Sequence, residues 1–269
     1  MIERQIENGT DAIAVCGTTG EASTLEKEEH VEVVRFAVEK SARRVPVIGG
    51  AGSNDTRHAV EMSLALEEAG VDALLLVTPY YNKCTQTGLI THYLTIADKT
   101  DTPIILYSVP GRTSVNITPE TVGELCGHPR IVGIKEASGN ISQVVDMAAY
   151  ISPDFHLYSG NDDMVVPLLS MGGSGVISTI ANLIPQDTHN MVEKFLRGDV
   201  EGAARLQIAM KPLIDAIFCE VNPIPVKAAL ALMGLIKAEY RLPLCPPAKA
   251  SLSKIKKAMK EYGLELTGK

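Results

Sequence analysis

Seven short, almost wholly apolar segments alternate with amphipathic helical patterns along this chain, and the pattern then turns entirely helical. Near-continuous hydrophobicity suits parallel strands covered on both faces, and so many strand–helix units in one chain predict a closed barrel. No GxGxxG turn follows any strand, and Gly49-Gly50-Ala51-Gly52 lacks that spacing, which disfavours a doubly wound nucleotide-binding sheet. The fold class expected is therefore a TIM (β/α)8-type barrel, one strand short of eight, with a C-terminal helical extension. Residues 1–185 are assigned to the barrel and 186–269 to the C-terminal helices, which include the last barrel helix.

The strand segments are residues 12–16, 45–49, 73–77, 103–107, 131–135, 156–159 and 175–178. Helix starts between them carry recognisable caps. Ser23-Thr24-Leu25-Glu26 has a capping-box pattern, Asn54-Asp55 precedes an apolar-periodic run, and Thr118-Pro119-Glu120 places proline at the first helical position. Glu67-Glu68-Ala69-Gly70 closes a helix on glycine. The helical tail reads as residues 186–197, 201–216, 223–234 and 248–262.

Composition narrows the function classes. A net charge of −7 argues against nucleic acid and against anionic membrane surfaces as partners. Five scattered cysteines without CxxC spacing fit reduced thiols in a cytoplasmic protein, with neither a disulfide framework nor a zinc site. No apolar stretch reaches transmembrane length, and Met1-Ile2-Glu3-Arg4-Gln5-Ile6 lacks a signal-peptide core. The six histidines show no metal-ligand pairing, and neither a GxSxG elbow nor a Walker motif is present. No metal and no cofactor is expected.

In a barrel the chemistry sits at the C-terminal ends of the strands. The fifth segment, Ile131-Val132-Gly133-Ile134-Lys135, ends its apolar run on an ammonium. Apolar surroundings favour the neutral amine, the form that attacks ketones to give a Schiff base, while a plain strand-end lysine would snorkel to solvent. The first segment runs into Gly17-Thr18-Thr19-Gly20-Glu21, whose hydroxyls and backbone N–H groups suit a carboxylate or phosphate, or form an ordinary turn. Three of the eight tyrosines, Tyr80, Tyr81 and Tyr107, fall at strand mouths, where core packing seldom puts phenols. Arg112, in Pro110-Gly111-Arg112-Thr113, offers a planar fork for a carboxylate or is a surface cation.

These segments, together with Thr78-Pro79-Tyr80-Tyr81-Asn82, Gly133-Ile134-Lys135-Glu136-Ala137 and Asn222-Pro223-Ile224-Pro225-Val226-Lys227, closely resemble the dihydrodipicolinate synthase family. That family belongs to the superfamily of pyruvate-dependent class I aldolases that includes N-acetylneuraminate lyase. The resemblance runs through essentially the whole chain, in order. It implies condensation of pyruvate with L-aspartate 4-semialdehyde to 4-hydroxy-tetrahydrodipicolinate, in lysine and diaminopimelate biosynthesis. Lys135 would form the Schiff base, Tyr107 would donate and accept the proton beside it, and Thr18 and Tyr81 would complete a hydroxyl relay. Tyr81 would come from a neighbouring subunit, so a homo-oligomer, dimer or tetramer, is implied. Thr19 and Ile177 would hold the pyruvate carboxylate, and Arg112 the carboxylate of the semialdehyde. The alternatives are a sister lyase for sialic or 2-keto-3-deoxy-sugar acids, a non-catalytic keto-acid-binding homologue and a nucleotide-binding α/β protein.

The resemblance also implies that the family's opening strand and the start of its first helix are missing before Ile2-Glu3-Arg4-Gln5-Ile6-Glu7-Asn8-Gly9. Residues 12–16 and 175–178 would then present unpaired edges beside Thr18 and Ile177. A form extended upstream by one strand is expected to melt higher and turn over faster than the 269-residue chain. Lysine-inhibited members carry a histidine and an acid where this chain has Lys27 and His58. An ammonium at Lys27 repels an ammonium ligand and His58 does not neutralise it. L-lysine should therefore inhibit weakly or not at all, and half-inhibition at micromolar lysine in a turnover assay would contradict this.

Overall fold

Seven parallel strands follow one another in chain order around a single curled sheet in the computed structural model, which describes residues 1–267. They are β1 (Ile13–Val15), β2 (Val47–Gly50), β3 (Ala73–Val77), β4 (Ile104–Ser108), β5 (Ile131–Glu136), β6 (His156–Ser159) and β7 (Gly175–Val176). The helices are α1 (Ile2–Glu7), α2 (Lys27–Ser41), α3 (Thr56–Glu68), α4 (Gln86–Ala97), α5 (Pro110–Thr113), α6 (Pro119–Leu125), α7 (Ile141–Ala148), α8 (Val165–Ser170), α9 (Pro185–Leu196), α10 (Val200–Ile217), α11 (Ile224–Leu232) and α12 (Lys249–Tyr262). The expected seven-strand barrel type with a helical tail is the one observed.

Local sequence accounts for most of these boundaries. Asp55 caps α3 by accepting from the backbone N–H groups of Arg57 and His58, and Thr118 caps α6 with Pro119 at its first position. Gly70 and Gly9 follow α3 and α1 in the left-handed conformation that an L side chain resists. The capping box expected at Ser23–Glu26 does not form. Residues Ala22–Thr24 wind into a 3₁₀ turn instead, and α2 starts at Lys27 from an uncapped Glu26. The competing demand comes from Glu21, whose carboxylate is engaged by Lys227 and Arg241.

The two faces of the sheet can be read along single strands. On β4, Ile104 and Leu106 pack outward with Leu74, Leu76 and Ile134 against the helices, while Ile105 and Tyr107 turn inward with Ile48 and Leu75. Because Ile134 faces outward, Lys135 must face inward, and Tyr107, Lys135 and Tyr158 stand side by side in register across β4, β5 and β6. A third apolar cluster joins α9–α12 to Val165, Leu169 and Ile180, so the helical tail shares its core with the sheet's far end.

β1 and β7 are the sheet's two edges, and side chains rather than a backbone ladder link them. From α1, Arg4 donates to the carbonyls of Asn182 and Leu183 at 3.0 and 2.7 Å, and Gln5 donates to that of Ala181 at 2.9 Å. Asp11 meets His189 at 3.0 Å on the same seam. Arg4→Ala should lower unfolding free energy by about 1.5–3 kcal/mol, the usual worth of hydrogen bonds from a charged donor. The check is a drop in urea midpoint at unchanged m value; an unchanged midpoint would show that the seam does not depend on Arg4.

Candidate active site

Lys135 lines a cavity of about 690 Å³ that takes in the C-terminal ends of the strands and runs on to Ile2 and Gln5 of α1 and Val33 and Phe36 of α2. Its ammonium nitrogen lies 4.5 Å from the centre of the Tyr107 ring. Burial is the main cause that pulls the lysine down to about 8, helped by the positive charge of Arg112 and opposed by the carboxylate of Asp162. Ammonium still predominates near neutral pH, but the neutral fraction is far larger than for an ordinary lysine. Burial also pushes the Tyr107 phenol upward, with the adjacent Thr18 side chain and Arg112 offsetting part of the rise. A phenol so placed stays protonated and acts as a donor.

Close backbone approach fixes the lysine stem. A Cβ added at Gly160 would lie 2.6 Å from Ala137 Cβ and 3.0 Å from Lys135 Cε. Gly160 also donates to the carbonyl of Glu136, which tethers the turn after β6 to the end of β5. Only a residue without a side chain lets that turn pass so near the reactive carbon chain.

Thr18, Thr19, Ile177 and Arg112 all line the same cavity as Lys135 and Tyr107. Thr19 Oγ1 lies 3.4 Å from Thr179 Oγ1 and accepts from Asn222 Nδ2 at 2.9 Å. Arg112 sits on α5, a single helical turn, and donates to the carbonyl of Asn222 at 3.0 Å. Tyr81 is not brought to the cavity within one chain. Its side chain is 93% exposed, and its backbone holds a φ of 71°, unusual for a bulky residue.

Motif reading alone left three contributions without roles. Asn222 ties the helical tail to both Thr19 and Arg112. Lys227 pairs with Glu21 in a largely buried contact, and Arg241 donates its backbone N–H to the same carboxylate at 3.1 Å. Burial raises the Glu21 carboxyl, but these partners outweigh it and leave the group below the usual range. Asp162 accepts from Ser178 Oγ at 2.6 Å and from the N–H groups of Thr179 and Ile180 at 3.1 and 2.9 Å. A census of strand ends that included Ser159-Gly160-Asn161-Asp162-Asp163 would have found it, since it follows β6 directly.

Among the described residues no cluster of His, Cys, Asp or Glu is arranged to hold a metal ion. The chemistry available to the cavity is that of an amine, a phenol, hydroxyls, a guanidinium and the Glu220 carboxylate. Lys135 should therefore react with an acylating reagent half-maximally near pH 8, while exposed lysines follow the ordinary value of about 10.4. Peptide mapping across pH 6–11 reads this directly; a midpoint for Lys135 close to that of the surface lysines would refute the half-buried, poorly hydrated amine.

Known proteins give this arrangement a family. The dihydrodipicolinate synthetase family profile matches residues 1–262. The 4-hydroxy-tetrahydrodipicolinate synthase of Acetivibrio thermocellus is 53% identical over 264 residues, covering 98% of this chain and 90% of the relative. The solved dihydrodipicolinate synthase of Aquifex aeolicus superposes with a TM-score of 0.97 at 39% identity, over 99% of this chain and 92% of that one. That of Acinetobacter baumannii, described as chloride-inhibited and complexed with pyruvate, superposes with a TM-score of 0.96 at 42% identity, over 98% and 90%. With the motif segments meeting at one strand-end cavity and similarity running through nearly the full length, the chain belongs to the dihydrodipicolinate synthetase family.

Proposed function

We propose that this protein is a 4-hydroxy-tetrahydrodipicolinate synthase, condensing pyruvate with L-aspartate 4-semialdehyde through a Schiff base on Lys135. The observation that carries the reading is the amine itself: a lysine lowered to about 8, beside a buried phenol, in the wall of a cavity that takes in the strand ends. The product has the chemistry of a precursor for lysine and diaminopimelate. Five free cysteines suit work in a reducing, cytoplasmic setting.

The neutral amine of Lys135 attacks the pyruvate ketone, and the carbonyl oxygen leaves as water after proton transfer, giving a protonated imine. That cation withdraws electrons from the neighbouring methyl group, which releases a proton to form the enamine. Tyr107 shuttles protons in these steps, and Thr18 shares them with it. An unaided phenol is a poor base near neutral pH, so a relay of hydroxyls suits the task. Tyr81 extends the relay from a neighbouring subunit. Its exposure and its left-handed backbone fit a side chain held outward for another copy of the chain, in a dimer or tetramer.

Thr19 and the main chain at Ile177 hold the pyruvate carboxylate, and Arg112 binds the carboxylate of the semialdehyde at the mouth. The enamine carbon attacks the aldehyde, whose oxygen becomes the hydroxyl. The substrate's own amine then adds to the imine carbon and displaces Lys135, closing the ring and regenerating the free amine.

Incubation with pyruvate and borohydride should modify Lys135 alone and abolish turnover, and Lys135→Ala should be inactive. Tyr107→Phe should reduce kcat by about 10²–10⁴, the usual loss when an acid–base group is removed. Rapid turnover of sugar acids with none of aspartate semialdehyde would instead assign a sister lyase, and modification away from Lys135 would overturn the mechanism.

A further inference from the structure

Asp162 is a carboxylate only 3% exposed, and the steps above give it no part. It lies behind the cavity wall, beneath Gly160, Asn161, Ser178 and Thr179, which line the cavity. Its oxygens hold the turn after β7: one accepts from Ser178 Oγ, the other from the N–H groups of Thr179 and Ile180. That turn carries Thr179 against Thr19. Gln207 of α10 donates to its backbone carbonyl at 2.8 Å, leaving the side chain to the turn.

A neutral asparagine would satisfy the same frame. Its Oδ1 could accept from Thr179 and Ile180, and its Nδ2 could donate to Ser178 Oγ, which keeps a lone pair beyond the one used by Ala181 N–H. The hydrogen bonds therefore do not explain a charge, and an ionised group buried without a counter-charge is strongly disfavoured. Burial raises the Asp162 carboxyl, and its hydrogen bonds and the cation in Coulombic reach, Lys135, offset part of that rise. The turn that carries Asp162 passes that lysine's stem at Gly160, where an added Cβ would lie 3.0 Å from Lys135 Cε. Of the other groups facing Lys135, Tyr107 from β4 and Tyr158 from β6 are phenols raised by burial, and Arg112 from α5 is a cation. Glu220, after α10, lines the same cavity, but the charges that act on Lys135 are those of Asp162 and Arg112.

Resting on the proposed Schiff-base role of Lys135, we infer that Asp162 is a positioning residue whose buried carboxylate balances the positive charge on the lysine nitrogen, first as ammonium and then as protonated imine. Imine formation turns a neutral amine and a ketone, with one proton, into a cation and water. The fixed negative charge favours that cation inside an apolar wall.

The test is Asp162→Asn in the full chain, with Ser178→Ala as the comparison that removes one hydrogen bond and keeps the charge. Lys135 is titrated by acylation and by borohydride trapping with pyruvate, alongside kcat and KM. Without the charge, the Lys135 midpoint should fall by roughly one pH unit, a tenfold change in its proton affinity. The trapped yield and kcat should fall roughly tenfold, with KM for the semialdehyde unchanged. A merely loosened, wetter wall would instead move the midpoint up, toward the ordinary lysine value, because hydration favours ammonium. An unchanged or raised midpoint would overturn the inference, as would an equal fall in Ser178→Ala. Failure of Asp162→Asn to fold would overturn it too, since the neutral frame would then be inadequate. If wild type forms no adduct at Lys135, the proposed function fails, while acylation still reads whether Asp162 sets the lysine's proton affinity.

Discussion

A cation held at the tip of a buried strand is the constraint from which the rest of the site follows. Lys135 faces inward because alternate residues of β5 take opposite faces and Ile134 is claimed by the outer core. Once inward, its amine loses most of its hydration, and that loss draws it down to about 8. Its neighbours in register, Tyr107 and Tyr158, are polar enough to line a cavity and apolar enough to keep the lysine poorly solvated. Gly160 brings the next turn close enough to confine the stem.

Charge is managed by separation across this sheet. Immediately after Lys135, Glu136 points to the other face and is almost fully buried, where Gln143 donates to it at 2.9 Å and the backbone of Ser138 at 2.9 Å. Burial lifts its carboxyl. The adjacent lysine and glutamate therefore do not neutralise one another, because a strand sends successive side chains to opposite faces. The lysine is left to answer to groups from other strands.

The helical tail completes the site from a distance in sequence. Asn222 reaches Thr19 and Arg112, and Lys227 reaches Glu21, so segments some 200 residues apart lock the first strand-end loop. This explains why the loop after β1 abandons its local helix-capping pattern: Glu21 serves a long-range ion pair, and Ser23 and Thr24 wind into the 3₁₀ turn that follows. At the sheet's edges α1 plays a similar part, joining β1's side of the molecule to the carbonyls after β7.

Strand and helix positions were readable from the sequence because hydrophobic period and turn chemistry are local properties, so all seven strands and the four long tail helices lie where their patterns put them. The short turns of α5 and α8 and the 3₁₀ start before α2 were not, since tertiary partners shape them. The motifs named the amine, the phenol, the hydroxyls and the guanidinium. They did not reveal that Arg112 bonds the Asn222 carbonyl, that Tyr81 stands clear of its own chain's cavity, or that Asp162 is buried behind the wall. Residue identity determines which chemistry is possible. Burial and proximity, which set proton affinity and charge balance, come from elements far apart in the chain, and only the folded arrangement decides them.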